Sequence, residues 1–509
     1  MENESANNKR IAKNTVFLYI RMFFIMAITL FTSRVVLSTL GVVDFGIYNV
    51  VGGIVAMMGL LNNAMAVSTQ RYITFELGRD DTIRLKQIFS ICFLIFILLS
   101  LIVIILAETI GLWFLNNKMV IPEDRITAAN WVYQFAILSC IASLIVTPYN
   151  ATIIAHERMN VYAYVGVAEA LLRLGVVYLL LIIPSDRLST YGLLMFLSQC
   201  IVTFMYVYYC TRHFKESRYH FYWERRLFKE LVFYSGWNLF GSVSGLVKGQ
   251  GLNILLNMFF NPAVNASRGI AYQVNSAITQ FFTNFYTAIR PQITKYYAQG
   301  NMNEMIKLIF RSSKFSFYLI LLVSMPIIIE TPYILRLWLG QLPEYVVPFT
   351  RIIIAISAID SMASPLMTAA HATGRIRLYQ SSVGTMTILN LPISYVFLKL
   401  GYSPLSVFYV SLFISIISLF VRLWIVNRLM TFPIRDYILK VFGNSLLVSI
   451  VAFAIPIYIH INTEENIKNI ILVCLFCLVS YSGTVWCIGL NRNERHFIVE
   501  IIKKKIQHK

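Results

Sequence analysis

The chain has 509 residues, 58% of them hydrophobic and 13% charged, with a net charge of +19. A soluble core of that length needs far less apolar surface, and runs of about 20 apolar residues recur throughout, so the composition sets aside a soluble fold and implies a polytopic α-helical membrane protein. All seven cysteines fall in apolar stretches, so no disulfide framework is implied.

The polar opening, Met1 to Asn14, has no short apolar core and cleavage site behind it, so the first apolar run is expected to be a retained span. Fourteen spans are expected in order: 15–38, 46–69, 87–114, 128–154, 160–183, 190–211, 231–258, 264–288, 306–329, 347–370, 378–398, 403–427, 438–459 and 467–489. With the N-terminus inside and the spans alternating, 30 Lys and Arg fall in inside segments or the span ends that adjoin them, and 6 in outside segments or the span ends that adjoin those. This asymmetry fits the positive-inside rule with both termini cytoplasmic, and it explains most of the net charge without invoking nucleic acid. The outside loops are too short for a folded domain. No G-x-x-x-x-G-K-[ST] occurs and no H-x-x-x-H pair, so no ATP site, metal or cofactor is expected. Cys474 and Cys477 form a C-x-x-C on an apolar helix, where they read as small packing residues.

A long polar interruption runs from Thr211 to Glu230 and interleaves six basic residues with six aromatics. Between two spans this reads as an interfacial segment, its rings at headgroup depth and its cations toward anionic lipid. It also separates two similar halves. At a constant offset of 217, Pro148 meets Pro365, Ala155 meets Ala372, Arg158 meets Arg375 and Tyr162 meets Tyr379. At 220 to 221, Ile73-Thr74 and Lys86 to Phe89 meet Ile293-Thr294 and Lys307 to Phe310. The repeat therefore covers spans 1–6 and 7–12. Six is even, so the two copies keep one orientation and are related by an axis along the membrane normal. The expected organisation is a six-helix half over 1–212, an interfacial linker over 213–230, a second half over 231–430, and helices 13 and 14 with a basic tail over 431–509. Two parallel repeats imply alternating access, with the substrate held near mid-membrane.

Charges inside the spans need a reason, because one at mid-bilayer costs about 2.5–3.5 kcal/mol. Arg351 and Arg422 lie near span ends and are expected to snorkel. Glu169 and Arg173, four apart, are expected to pair along one helix face. Lys248 is harder to dismiss: its span carries no acid and surrounds it with Gly241, Ser242, Ser244, Gly245, Gly249 and Gln250. Such a helix suits a wet cavity wall, against which stand snorkelling or an unseen partner. Arg21, Arg34 and Arg268 read either as cavity cations or as residues reaching an interface. Asp360 reads either as a structural bridge to Lys248 or Arg268, or as the group that takes up a coupling proton or Na⁺.

The hairpin Leu40-Gly41-Val42-Val43-Asp44-Phe45-Gly46-Ile47-Tyr48 resembles the LG-x-x-D-[FY]-G-[IL]-Y turn of bacterial polysaccharide flippases. Asn265 to Ala271, opening span 8, also resembles that family. The resemblance implies an all-α, MATE-like two-bundle fold of about 14 spans in the bacterial inner membrane. It implies flipping of undecaprenyl-pyrophosphate-linked oligosaccharides for O-antigen, capsule or exopolysaccharide, with no covalent bond made or broken. It assigns Lys248, Arg268, Arg21 and Arg34 to a cationic cavity that holds the pyrophosphate, and leaves Asp360 as the residue-level candidate for ion coupling. The implied partners are the lipid-linked oligosaccharide, the bilayer, a proton or sodium ion, and other polysaccharide-assembly proteins. Three rival readings stand beside it: a cation-coupled multidrug exporter of the same fold, a membrane glycan polymerase or ligase, and a non-transporting membrane scaffold.

Overall fold

Gly41 adopts φ 78° and ψ 170° inside an otherwise continuous helix of 78 residues, α1 (Glu2–Arg79). An L-residue with a Cβ resists that conformation and glycine does not, so the hairpin glycine is where span 1 ends and span 2 begins. In the computed structural model all residues are described except 1, 118, 120, 184–185, 261, 463–465, 493 and 496–509. The described secondary structure is helical throughout, without strands.

After α1 come α2 (Thr82–Leu106), a π-helical turn Ala107–Gly111, and α3 (Leu112–Asn117). The long helices α4 (Ile126–Ala155), α5 (Met159–Ile182) and α6 (Arg187–His213) complete the first six spans. Then follow α7 (Arg225–Phe259), α8 (Pro262–Ala298), α9 (Met302–Ile329), the short α10 (Thr331–Leu339), α11 (Val346–Ala372), α12 (Arg377–Lys399) and α13 (Leu405–Leu429). Span 13 combines α14 (Ile434–Tyr437), a π turn Ile438–Gly443 and α15 (Asn444–Ile461); α16 (Ile467–Thr484) ends in a third π turn, Val485–Gly489.

Among the described residues, eleven helices are long and apolar enough to cross a membrane, and they match eleven of the fourteen expected spans. The other three are span 2, in the second arm of α1, and spans 7 and 8, in α7 and α8. All three are helical. At 35 and 37 residues, α7 and α8 run to roughly 50 Å at 1.5 Å per residue, longer than a bilayer core requires. They are less apolar because Gly, Ser, Asn and Gln replace aliphatic residues along them. Elsewhere large apolar side chains lie bare on the outside, such as Ile182 at 76% and Val479 at 67% exposure, as a lipid solvent demands.

All three π turns end on glycine: Gly111, Gly443 and Gly489. A π turn inserts one residue and loosens the carbonyl ladder, so side chains must answer the freed groups. The buried Tyr133 donates its hydroxyl to the Ala107 carbonyl at 2.8 Å, and a Cβ at Gly111 would sit only 2.0 Å from that hydroxyl. The buried Tyr318 takes the same position against Gly489.

Packing divides the chain into unit 1, residues 1–242 with 288–301, and unit 2, residues 243–287 with 302–509. Within unit 1, α4 packs on α2 and α6, and α5 on α6. Within unit 2, α11 packs on α9 and α13, and α12 on α13; α15 and α16 pair with each other and lean on α9. The first three packings are one pattern repeated.

The turns repeat too. Past α1, Asp80 takes φ 61° and the Asp81 amide donates to the Glu76 carbonyl at 3.3 Å. Past α8, at the matching place in the second copy, Gly300 takes φ 72° and the Asn301 amide donates to the Tyr296 carbonyl at 2.9 Å. Between α4 and α5, Glu157 has φ 58° and its amide donates to Ile154. Its counterpart between α11 and α12, Gly374, has φ 77° and its amide donates to His371. Pro148 and Pro365 lie inside α4 and α11.

Asp44 of the hairpin motif has a structural partner. Its carboxylate meets Arg125 at 2.9 Å, and Arg125 also meets Asp186 at 2.7 Å. Asp186 in turn caps α6 by accepting from the Ser189 amide at 2.9 Å. One guanidinium thus ties the hairpin to the starts of α4 and α6.

Candidate anion-binding site

In unit 2 the polar helix α7 brings a cation into the apolar bundle. Gly251 is the reason α7 approaches α12 so closely, since a Cβ there would lie 2.6 Å from Leu391. One turn earlier, Lys248 is half-buried and makes no hydrogen bond or ion pair among the described residues. The charges that act on it are one carboxylate, Asp360, and two guanidiniums, Arg422 and Arg268.

Arg268, on α8, is held in place. Its Nη2 donates to the Gly249 carbonyl at 2.7 Å and its Nη1 to Asn253 Oδ1 at 3.3 Å. Its guanidinium also lies 4.6 Å from the Tyr272 ring centroid, a cation–π contact. Arg268 is thereby fixed beside Lys248 without neutralising it.

Asp360, on α11, accepts from Ser415 at 2.7 Å and meets Arg422 Nη1 at 3.7 Å. Arg422 does not snorkel: its side chain is only 17% exposed and turns inward to this carboxylate. The sequence carried a signal for this. Ser411, Ser415, Ser418 and Arg422 recur at helical spacing, a polar stripe on one face of α13. The three serines are buried, and Ser411 bonds Asn390 of α12. Arg351, by contrast, is exposed. It donates to the carbonyls of Ile328 and Ile329 at 2.9 and 3.2 Å, answering the open end of α9. The Glu169–Arg173 pair forms as expected, at 2.7 Å.

In unit 1, Arg21 lies 4.2 Å from the Tyr162 ring centroid, and its buried Nε has no hydrogen-bond partner among the described residues. The backbone of Arg34 runs in α1, but its side chain lies outside the described residues. Gly166 explains the Arg21 position, because a Cβ there would come 2.1 Å from Arg21 Nε. Gly166→Ala is therefore expected to push the guanidinium off Tyr162 and to cost about 1–3 kcal/mol, read as a lower melting temperature in detergent. An unchanged melting temperature would show that Arg21 moves aside freely.

A carboxylate that sequence reasoning missed is Glu157. Its side chain is fully buried, 2.7 Å from Arg10 and 2.8 Å from Lys295. Arg10 also donates to Gln292 at 2.8 Å. These contacts bind the start of α1 and the end of α8 to the α4–α5 turn, all within unit 1.

No protein-family model matches the sequence, and no curated protein matches it. Solved structures do match. A MATE protein in its bent conformation aligns at TM-score 0.72 and 12% identity, over 83% of this chain and 96% of that one. The chain has the MATE fold. A MATE transporter of Vibrio cholerae in the bent form aligns over 86% of this chain and 99% of its own, at TM-score 0.63 and 15% identity. A MOP superfamily transporter from Pyrococcus furiosus, described by a binding pocket of reverse polarity, aligns at TM-score 0.65 and 14% identity over 82% and 96% of the two chains. At these identities the likeness is one of fold. The MATE fold spans nearly the full length of those chains, which fits the expected all-α, polytopic architecture.

Proposed function

We propose that the protein is an inner-membrane transporter that flips undecaprenyl-pyrophosphate-linked oligosaccharides by alternating access. The observation that carries this reading is the sign of the interior charge in unit 2. Lys248, Arg268 and Arg422 stand against one carboxylate, Asp360, and Lys248 has no ion-pair partner among the described residues. Cations at low dielectric favour a multiply charged anion such as a pyrophosphate and disfavour an organic cation. Arg21 and Arg34 add cationic groups in the first half. The glycan would travel in the cavity and the lipid tail would stay in the bilayer.

Asp360 remains the candidate for a coupling proton or sodium ion, since its side chain is 47% exposed despite Arg422. The boundaries at 212, 230 and 430, the cytoplasmic termini and a place among polysaccharide-assembly proteins belong to the same reading. The helices provide binding groups and a path, so no covalent chemistry is assigned.

Proteoliposomes containing the purified protein test the proposal. A fluorescent undecaprenyl-pyrophosphate oligosaccharide should change leaflets at least about tenfold faster than in protein-free vesicles, and ethidium should not move. Ethidium export without oligosaccharide flipping would establish the drug-exporter reading instead.

A further inference from the structure

We infer that the inner ends of α1 and α8 form a gate, closed here at Gly78 and locked by Glu157. This rests on the alternating-access reading and adds the contact that must part before cargo loads. Both ends belong to unit 1, and the charge asymmetry puts them on the cytoplasmic side. Gly78 is where they touch. A Cβ on it would stand 2.7 Å from the Ala298 Cβ and 3.1 Å from the Lys295 backbone, so a glycine is what lets the two helices approach this closely. Beside it, the rings of Phe75 and Tyr297 lie with centroids 6.3 Å apart.

The two partners in that contact are repeat mates. At the offset of 220 that relates Ile73-Thr74 to Ile293-Thr294, Gly78 is matched with Ala298. Two copies related by a twofold axis bring a residue against its own mate only on that axis. The expected axis runs along the membrane normal, on the line of the substrate path. The Gly78–Ala298 contact therefore stands across the path at its inner end.

The lock lies beside it. From α8, Lys295 meets the buried Glu157 at 2.8 Å and Gln292 accepts from Arg10 at 2.8 Å, while Arg10 meets the same carboxylate at 2.7 Å. The region around the start of α7 is tied on in the same way. Glu230 accepts from Tyr72 at 2.8 Å, and Glu224 meets Arg84 at 2.7 Å. Polar ties of this kind exchange for water when the ends part, which a seam of aliphatic side chains cannot do.

Helix α8 also has the joint that such a motion needs. Its packing changes from unit 2 to unit 1 between Thr287 and Ala288. Pro291, inside the helix, has no N–H to give the Thr287 carbonyl, so the helix ladder is interrupted at that same residue. The inner end of α8 swings there while the rest of the helix keeps its packing.

Full-length protein in nanodiscs, with the native cysteines replaced by alanine, tests the gate without cargo. Spin labels on Ile83→Cys and Gln299→Cys, both exposed positions beside the two ends, report their separation by double electron–electron resonance. The unmodified gate should show a dominant short distance and a minor longer one. Gly78→Ala should raise the longer population about tenfold, because the added methyl wedges the contact. Ala298→Gly in the same protein should lower it again, since the nearest clashing atom is gone. Glu157→Gln should also raise it, by removing the charge that holds Lys295, and it supplies the decision should Gly78→Ala fail to accumulate. Distances unmoved by these substitutions would overturn the gate. A lower melting temperature at unmoved distances would make the contacts structural and also overturn it.

A second arm measures flipping in proteoliposomes. Phe75→Cys with Tyr297→Cys, bridged by a short reducible bis-methanethiosulfonate, should stop flipping, and reductant should restore it. Each single cysteine treated alike should keep its rate. Full flipping by the bridged protein would overturn the gate and leave the oligosaccharide reading standing. No flipping by wild type, with distances that move as expected, would overturn the oligosaccharide reading and leave a gate that serves another cargo.

Discussion

Lys248→Glu should abolish oligosaccharide flipping while the protein still inserts and accumulates. The substitution reverses a charge that has no partner to lose, so it removes an attraction and adds a repulsion at low dielectric. A rate loss of more than about a hundredfold is expected, since each 1.4 kcal/mol is tenfold and the change spans two unit charges. Lys248→Ala should lose most of the activity. Lys248→Arg should keep much of it, short of full because the planar fork is not a point charge. The rate is measured in proteoliposomes at matched protein levels. A cysteine at 248 should react with a water-soluble thiol reagent, and pyrophosphate should slow that reaction. A purely structural role predicts another pattern. Lys248→Ala would then destabilise the protein and Lys248→Ala with Asp360→Ala would restore it. The geometry opposes that pattern, because Asp360 is engaged by Ser415 and Arg422. Full transport by Lys248→Ala at normal levels would end the cargo role.

The second large effect is on stability. Glu157→Gly removes a strained conformation and two ion pairs together. Relief of φ 58° should return about 1 kcal/mol. Removing one partner from a buried ionic group costs about 3–5 kcal/mol, reduced here because Arg10 is 45% exposed while Lys295 is 17% exposed. The net expectation is a loss of about 2–3 kcal/mol. Glu157→Ala should be worse, since it keeps the strain without the pairs. Thermal unfolding of the purified variants gives the comparison. If Glu157→Gly melts at or above wild type, the carboxylate does not hold the start of α1 and the end of α8.

Hydropathy made the spans legible because lipid imposes one strong rule on every helix. Spans 7 and 8 are the weakest by that rule, and they are the helices that carry Lys248 and Arg268. The isolation of Lys248 was legible as well, from a span with no acid on it. The inward turn of Arg422 was not. Its depth along α13 fitted snorkelling, and only the serine stripe below it showed that the face was buried. Glu157 was hidden for a different reason. Its partners, Arg10 and Lys295, come from the first helix and from the second half of the repeat, and no local pattern specifies contacts that remote in sequence. The repeat was legible in Pro148 and Pro365 but half concealed at the turns, where Asp80 and Glu157 occupy positions that Gly300 and Gly374 fill in the other half.

The three π turns make helix length a matter of angle. An α-helix turns about 100° per residue and rises only 1.5 Å. A π turn widens to take up one extra residue, so the helix beyond it keeps the facing it would have without that residue. Deleting one residue within Ala107–Gly111 should therefore restore a regular α-helix while Leu115, now 1% exposed, stays in the core and Trp113 and Phe114, now 53% and 43% exposed, stay outside. The same deletion in a regular stretch of α4 would swing everything beyond it by more than a quarter turn. Single-residue deletions at these three glycine-ended turns should therefore be far less disruptive than deletions of the same size within the regular helices.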